Sequence, residues 1–548
     1  MKKYVIGVDF GTLSARAIVL RVSDKTVVSE SVFEYRHGVM DKSLPSGVSL
    51  PDGFALQHPA DYIEALRESV RGAIKKSEVS SSEIGGIGVD FTASTVLPID
   101  KNGTPLAFDE RFKNEPHAYV KLWKHHGAQK EADDFTKAAK DRGEKWLDSY
   151  GGIVSAEFML PKILETARYS KDVYDNTYRF IEAGDWINLL LTGNETHAAA
   201  FAGYKAFWNE KNGYPTNEYF KSVDILLDGI VGTKISDRIN PVSEKAGFIN
   251  KYGSELTGLD IGTPVSLAML DAHAAMPALN TTANGNMMII LGTSACHIIN
   301  SDKEDVVDGI FGCVKNGVIP GKITYEAGQQ CFGDAFDWFV SNCVPKSYYD
   351  EANKNGIGIH TLLTEKAQQL KIGESGIIAL DWFNGNRSVL VNSRLSGMLV
   401  GVTIQTQPEE IYRALLEAAV FGAKRITDQF EAFGISIDKI TAAGGIASKN
   451  ALLMQIMADV LNKEIFVCNT TQAAALGSAV YASVAGGFYD DVIIASADLS
   501  PEVKAVYRPI EENVIKYKAL YSEYLTLHDY FGKTNMVMER LRKIKQDC

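Results

Sequence analysis

Apolar residues in the first part of the chain come in short runs broken by turn residues, and then the spacing changes. Tyr4–Phe10, Ala17–Val22 and Thr26–Tyr35 read as three strands, with Ser23-Asp24-Lys25 marking the second turn. From Pro59 onward Ile63, Leu66, Val70 and Ile74 share one helical face, and the proline suits a first turn. Gly86–Phe91 then reads as a strand. A meander, a helix and a strand differ from a plain βαβ repeat. The five-residue word Ile-Gly-Val-Asp-Phe occurs at 6–10 and again at 87–91, each time closing an apolar run on a carboxylate.

Further along, the polar stretch Asn280–Asn286 precedes an apolar run, Met287–Ile299, read as one strand. The domain boundary is expected there, dividing the chain into 1–282 and 283–548. Pro408 opens a long helix with Glu409 and Glu410 in its first turn and Gly434 at its end. Ile411, Leu415, Ala418, Gly422, Ile426 and Phe430 line one face of it. At 548 residues the chain is longer than one hydrophobic core usually supports. Each half has a strand running into Gly-Thr and a hydroxyl, so an internally duplicated α/β fold with a cleft between two lobes is predicted.

Composition narrows the function classes. The chain is 45% hydrophobic and 23% charged, as in ordinary soluble domains. A net charge of -12 without a basic stripe argues against nucleic acid. A phosphorylated ligand would need local N–H groups, a few basic side chains and a cation. The six cysteines (Cys296, Cys313, Cys331, Cys343, Cys468 and Cys548) form no C-x-x-C pair, so reduced thiols are expected. The apolar run at the start meets Asp9 too early for a signal peptide, and no stretch approaches the roughly 20 apolar residues of a membrane span. A cytoplasmic location with no membrane partner is the expectation.

Three loops could carry chemistry. Asp9–Arg16 is a hairpin tip in which Gly11 allows close approach, Thr12 and Ser14 offer hydroxyls, and Arg16 offers a cation. Such a tip can wrap phosphate oxygens while Asp9 holds a hydrated cation; it is equally an ordinary hairpin turn. Leu291–His297 repeats the Gly-Thr-Ser theme. In Ala442–Asn450, Gly444 and Gly445 would let a flat ring slide against the backbone, and Asn450 could bond its edge or a ribose; a plain strand–helix turn reads the same way. Asp271 ends a short apolar strand before a helix. It is either an N-cap or a general base at the cleft. His273 and His297 read as packed groups, since no second histidine stands at metal-ligand spacing. Lys162 reads as a solvated helix face, and Trp123, Trp186, Trp208, Trp338 and Trp382 read mostly as core. No P-loop, complete G-x-G-x-x-G or H-R-D motif is present.

Taken in order, "GVDFGTLSARA", "LQHPADYIEAL", "GVDFTAST", "AEFMLPKILE", "LDAHAA", "LGTSACH", "YEAGQ", "LDWFNGNRSVLV" and "GGIASKNALLMQIMADVLN" resemble the FGGY family of carbohydrate kinases over nearly the whole chain. The resemblance implies two ribonuclease-H-like lobes of the actin/Hsp70 type around an ATP and sugar cleft. It implies ATP-dependent phosphorylation of a pentulose, L-ribulose foremost, with D-ribulose and pentitols as further substrates, in arabinose catabolism. Asp271 would be the base. Gly11, Thr12, Ser14 and Arg16, with Gly292 and Thr293, would surround the phosphates. Asp9 would attend Mg²⁺ through water, and Gly444, Gly445 and Asn450 would hold the adenosine. Ala93, Lys205, Asp271 and Glu326 would hold the sugar. One departure is the loop Gly309–Gly317. A homodimer is one expected assembly. Rival readings are a kinase for another sugar or polyol, a mechanical ATPase of the same fold, and an inactive sugar sensor.

Overall fold

A computed structural model describes residues 2–547, so the sixth cysteine, Cys548, lies outside the described residues. Its frame is two large sheets built on one plan. In the first, Tyr4–Phe10 pairs antiparallel with Ser14–Arg21, which pairs antiparallel with Thr26–Glu34. On its other side Tyr4–Phe10 runs parallel to Ile84–Phe91, and that strand runs parallel to Pro264–Ser266. The second sheet repeats the scheme. Asn286–Leu291 pairs antiparallel with Ala295–Ser301, which pairs antiparallel with Ile323–Gln329. Asn286–Leu291 also runs parallel to Lys439–Ala443, and that strand to Ile465–Cys468. The duplication expected from the Gly-Thr loops is therefore present strand by strand.

The repeated word gains a spatial meaning. Ile6, Gly7, Val8, Asp9 and Phe10 are the register partners of Ile87, Gly88, Val89, Asp90 and Phe91. The two copies lie side by side, and the rings of Phe10 and Phe91 stack at 4.9 Å. The glycines answer to a third element. Helix Ala473–Ala485, rich in small residues, is laid directly on these strands. A Cβ on Gly7 would stand 1.9 Å from the Ala475 carbonyl oxygen, and one on Gly88 would stand 2.2 Å from that of Ser478. The same helix meets Asp271–Ala278 so closely that a Cβ on Gly477 would lie 1.6 Å from the Ala274 oxygen. Thus a helix from the second half covers the first sheet. The core beneath the cleft is continuous, joining Val8 and Val89 with Ala479, Met288 and Ile298.

Three readings from sequence need correction. Met287–Ile299 is a hairpin, Asn286–Leu291 and Ala295–Ser301, which turns at the Gly292-Thr293-Ser294 tip between two apolar runs. The second strand begins at Ser14, ahead of Ala17. Trp186 and Trp382 are core, but Trp123 and Trp338 are 38% and 43% exposed. Helices Pro59–Ser77 and Pro408–Ala432 start at the expected prolines. Among the described residues no helix is long and apolar enough to cross a membrane.

Candidate active site

The hairpin tip after Asp9 holds the carbonyls of Thr12, Leu13 and Ser14 in hydrogen bonds while two of its N–H groups stay without a backbone acceptor among the described residues. The Ser14 carbonyl accepts from Gly11 N–H at 3.0 Å, and that of Leu13 accepts from Tyr35 N–H at 2.9 Å. The Thr12 carbonyl accepts from Gln57 Nε2 at 2.7 Å, and its hydroxyl oxygen from Trp123 Nε1 at 3.2 Å. No backbone acceptor takes the N–H groups of Thr12 or Leu13 among the described residues. Two such N–H groups beside a glycine can cradle an anion. Arg16 is the register partner of Asp9, and its Nε is buried without a partner.

The second tip has the same character. Gly292 N–H donates to the Ser294 carbonyl at 2.9 Å, while the carbonyls of Gly292 and Thr293 accept from Gly333, Phe332 and Asp334. Beside it, Gly444 adopts φ +97 and approaches the Leu291 carbonyl so closely that a Cβ would stand 2.3 Å away. Only glycine fits such a position. A cavity of about 500 Å³ opens here, bordered by Gly292, Thr293, Gly445 and Asn450 and walled by Phe336 and Tyr412. A second cavity, of about 480 Å³, is bordered by Asp9, Gly11, Asp271, Gly444 and Gly445. Gly445 borders both, so the two cavities adjoin at this glycine. Thr12, Ser14 and Arg16 do not border the second cavity and flank it on the hairpin. Asn450 is half spoken for: its Oδ1 caps helix Ala451–Leu461 through Leu453 N–H, which leaves only Nδ2 for a ligand.

Carboxylates crowd around Asp9. Asp90 is fully buried; its Oδ2 accepts from Ser478 Oγ at 2.6 Å, and its Oδ1 has no partner among the described residues. Burial, then the neighbouring Asp9, pushes the Asp90 carboxyl well above the usual range. Burial raises Asp9 as well, with the Arg16 charge opposing. Asp271 is pushed up to about 7, chiefly by burial and next by Asp9, with Ala272 N–H opposing. The helix it opens has Leu270 at the N-cap, so Asp271 is not the capping residue. Among the described residues its Oδ1 accepts only from Ala272 N–H, at 2.6 Å.

Beyond Asp271, two residues on, His273 stands 3.3 Å from Glu326 Oε2, and burial holds its imidazole down at about 4, hence neutral. Lys205, 8% exposed, lies 5.7 Å from the ring centres of Phe158 and Phe311 and forms no ion pair among the described residues. Arg387 stacks on Phe311 at 4.9 Å and donates to Glu157 at 2.9 Å, tying the two halves together. Ala93 is partly exposed on the loop after Phe91.

Residues 4–277 match the profile described as the FGGY family of carbohydrate kinases, N-terminal domain, and residues 287–486 match the C-terminal domain of the same family. The chain belongs to the FGGY family of carbohydrate kinases. It is 47% identical to a ribulokinase of Halalkalibacterium halodurans over 549 residues, spanning 99% of this chain and 98% of that protein. It is 46% identical to a ribulokinase of Bacillus licheniformis over 538 residues, 97% and 98% of the two chains. The fold is that of the xylulose kinase from Rhodospirillum rubrum (TM-score 0.79, 21% identity, 96% of this chain and 99% of that one). It is also that of the Plasmodium falciparum glycerol kinase with ADP (TM-score 0.77, 17% identity, 95% and 97%).

For this FGGY kinase the sequence missed Glu157, Arg387, Phe311 and Asp90. Asp90 was signalled, since the repeated word places a second carboxylate where the first already sits. Phe311 comes from the loop that departs from the family pattern, and nothing local marked it. Lys162 is corrected outright. It is 1% exposed, in a helix buried on nearly every side.

Proposed function

We propose that this kinase transfers the γ-phosphoryl group of ATP to the 5-hydroxyl of L-ribulose, with D-ribulose and pentitols as slower substrates. The ribulokinases that match it along the whole chain support the sugar. The observation that carries the reaction is Asp271, a non-capping carboxylate between the Asp9 hairpin and the Lys205–Glu326 cluster. Phosphoryl transfer asks mostly for positioning and charge neutralisation. The N–H groups of Thr12 and Leu13, the Ser14 hydroxyl and Arg16 hold the phosphates from one lobe, and Gly292 with Thr293 from the other. Gly444, Gly445 and Asn450 seat the adenosine. Ala93, Lys205 and Glu326 orient the sugar, and Asp271 accepts the proton of the attacking hydroxyl.

A hard-oxygen donor set fits Mg²⁺ at Asp9. Its carboxyl and that of Asp90 are crowded, and Asp90 Oδ1 has no hydrogen-bond donor. Asp9 would hold the ion through water, and the bound ion would supply charge neutralisation to the phosphates.

A coupled ADP-release assay across pentuloses and pentitols tests the reading. L-Ribulose should give the highest kcat/KM; a lack of sugar-dependent ADP release, or a clear preference for xylulose or glycerol, overturns it. Two further results are expected. Because the base must be ionised, kcat/KM for L-ribulose should fall about tenfold per pH unit below about 7 and level off above it. A profile flat from pH 5.5 to 8 removes Asp271 as the titrating base. Lys205→Met should raise the KM for L-ribulose by roughly 10–100-fold, the loss of one charge-assisted bond or two, with KM for ATP little changed.

A further inference from the structure

Helix Met159–Tyr169 carries polar side chains into an apolar interior. The Lys162 ammonium donates to the Ser94 carbonyl at 2.6 Å and to the Leu122 carbonyl at 2.9 Å. Glu182, 3% exposed at the end of strand Arg179–Glu182, accepts from Thr95 N–H at 3.0 Å through Oε2; its Oε1 is buried with no partner. One side chain therefore takes the carbonyl of a residue and the other takes the N–H of the next. Ser94, between them, sits at φ +56, a left-handed backbone that a residue with a side chain keeps only when its surroundings over-determine it. The Thr92 and Thr95 hydroxyls meet at 2.8 Å, and Ala183 N–H donates to the Thr95 carbonyl at 2.8 Å.

The device is costly, which argues that it has a use. A buried ammonium is tolerated only when paired and hydrogen-bonded, and an apolar side chain would fill the same space at less expense. A second buried ammonium fixes the first: Lys121 donates to the Lys162 carbonyl at 2.9 Å, to Thr166 at 2.7 Å and to Glu165 at 2.5 Å. The Lys162–Ser94 and Glu182–Thr95 bonds converge on the four-residue loop Thr92–Thr95, which contains Ala93 and follows directly on the strand carrying Asp90.

We propose that Lys162 and Glu182 are positioning residues that set the backbone of the Ala93 loop, and through it the enzyme's discrimination among sugars. This rests on the reading above that Ala93 faces the sugar. The pair acts at a distance: Lys162 dictates where the Ser94 carbonyl lies, Glu182 where the Thr95 amide lies, and Ala93 follows.

The test is steady-state kinetics on the full chain, with sugar and ATP varied separately, alongside melting curves. Lys162→Met should raise the KM for L-ribulose at least tenfold, hold the KM for ATP within about twofold, and narrow the preference for L-ribulose over D-xylulose. Lys162→Met removes the charge that favours the ionised form of the buried Glu182 carboxyl and also loses stability. The double variant Lys162→Met with Glu182→Gln removes that carboxyl while keeping an acceptor for Thr95, so it should regain most of the lost melting temperature and keep the raised sugar KM. If the single variant does not fold, the double variant carries the test. A double variant that regains the wild-type sugar KM overturns the proposal, because charge balance alone was then at stake. Equal losses toward both substrates also overturn it. Ala93→Val separates the two layers. An unchanged sugar KM there refutes the placement of Ala93 and the proposal with it, whereas a raised KM beside an unaffected Lys162→Met refutes the proposal alone.

Discussion

Asp271→Asn is expected to lower kcat with L-ribulose by about 10²–10⁴-fold, the span typical of a positioned general base, while ADP affinity stays within a few-fold. The amide is nearly isosteric and can still accept from Ala272 N–H at its present 2.6 Å, so the local backbone should be undisturbed. What is lost is an oxygen able to take a proton. Asparagine also removes one of the charges that raise the Asp90 carboxyl, so nucleotide and cation binding should hold or tighten slightly. Isothermal titration with ADP beside the rate assay distinguishes these terms. A variant retaining near-normal kcat would take Asp271 out of the mechanism. A variant that loses ADP binding along with turnover would show the carboxylate to be a structural member of the phosphate site instead.

Gly477→Ala should have the largest effect on stability of any single-methyl change in the molecule. Helix propensity alone predicts a gain, since alanine is favoured over glycine in a helix interior by about 1 kcal/mol. Packing predicts the reverse. The new carbon would be placed 1.6 Å from the Ala274 carbonyl oxygen, which is backbone in the helix bearing Asp271 and cannot swing aside. Overpacking of this kind costs about 1–3 kcal/mol and more where backbones must part, so a net loss of at least ~3 kcal/mol is expected. Thermal melting and soluble yield report it. Gly445→Ala is the contrast, because nothing stands within 4 Å of its added carbon. If both variants melt together, close packing of the two helices is not what the glycine provides.

Much of the frame was legible because its signals are local. Pro59 and Pro408 mark where helices begin, and Tyr4–Phe10 is a short apolar run of the kind a buried strand shows. The Gly-Thr loops and the double glycine at 444–445 pointed to the cavities that the structure brings together. What was not legible depends on partners far away in the chain. Nothing near Gly7 or Gly88 says that a helix some four hundred residues on will lie against them. Lys162 shows how periodicity misleads: it fixes which residues share a helical face but not what covers the others. The helix offered a clue in Met159, Leu160, Ile163, Leu164 and Ala167, apolar on several sides, which leaves a lysine among them no route to water. Met287–Ile299 reads as one strand even though its Gly-Thr-Ser also reads as a loop, because only Gly292, Thr293 and Ser294 separate two apolar runs.

The order in which the sheets are covered has a consequence during synthesis. The strands of the first sheet are complete once Leu270 has been made, yet the helix that lies on Gly7 and Gly88 ends only at Ala485. At about 5–20 residues per second the ribosome takes roughly 10–40 s to span that interval. Through that time the nascent chain carries a finished sheet with one glycine-lined face bare. The second sheet faces no comparable wait, since helix Asp271–Ala278, which packs against Ala295–Ser301, is made before it. A release of the chain near residue 282 would therefore yield a lobe with its strands in place and its cover missing, a species for chaperones to hold.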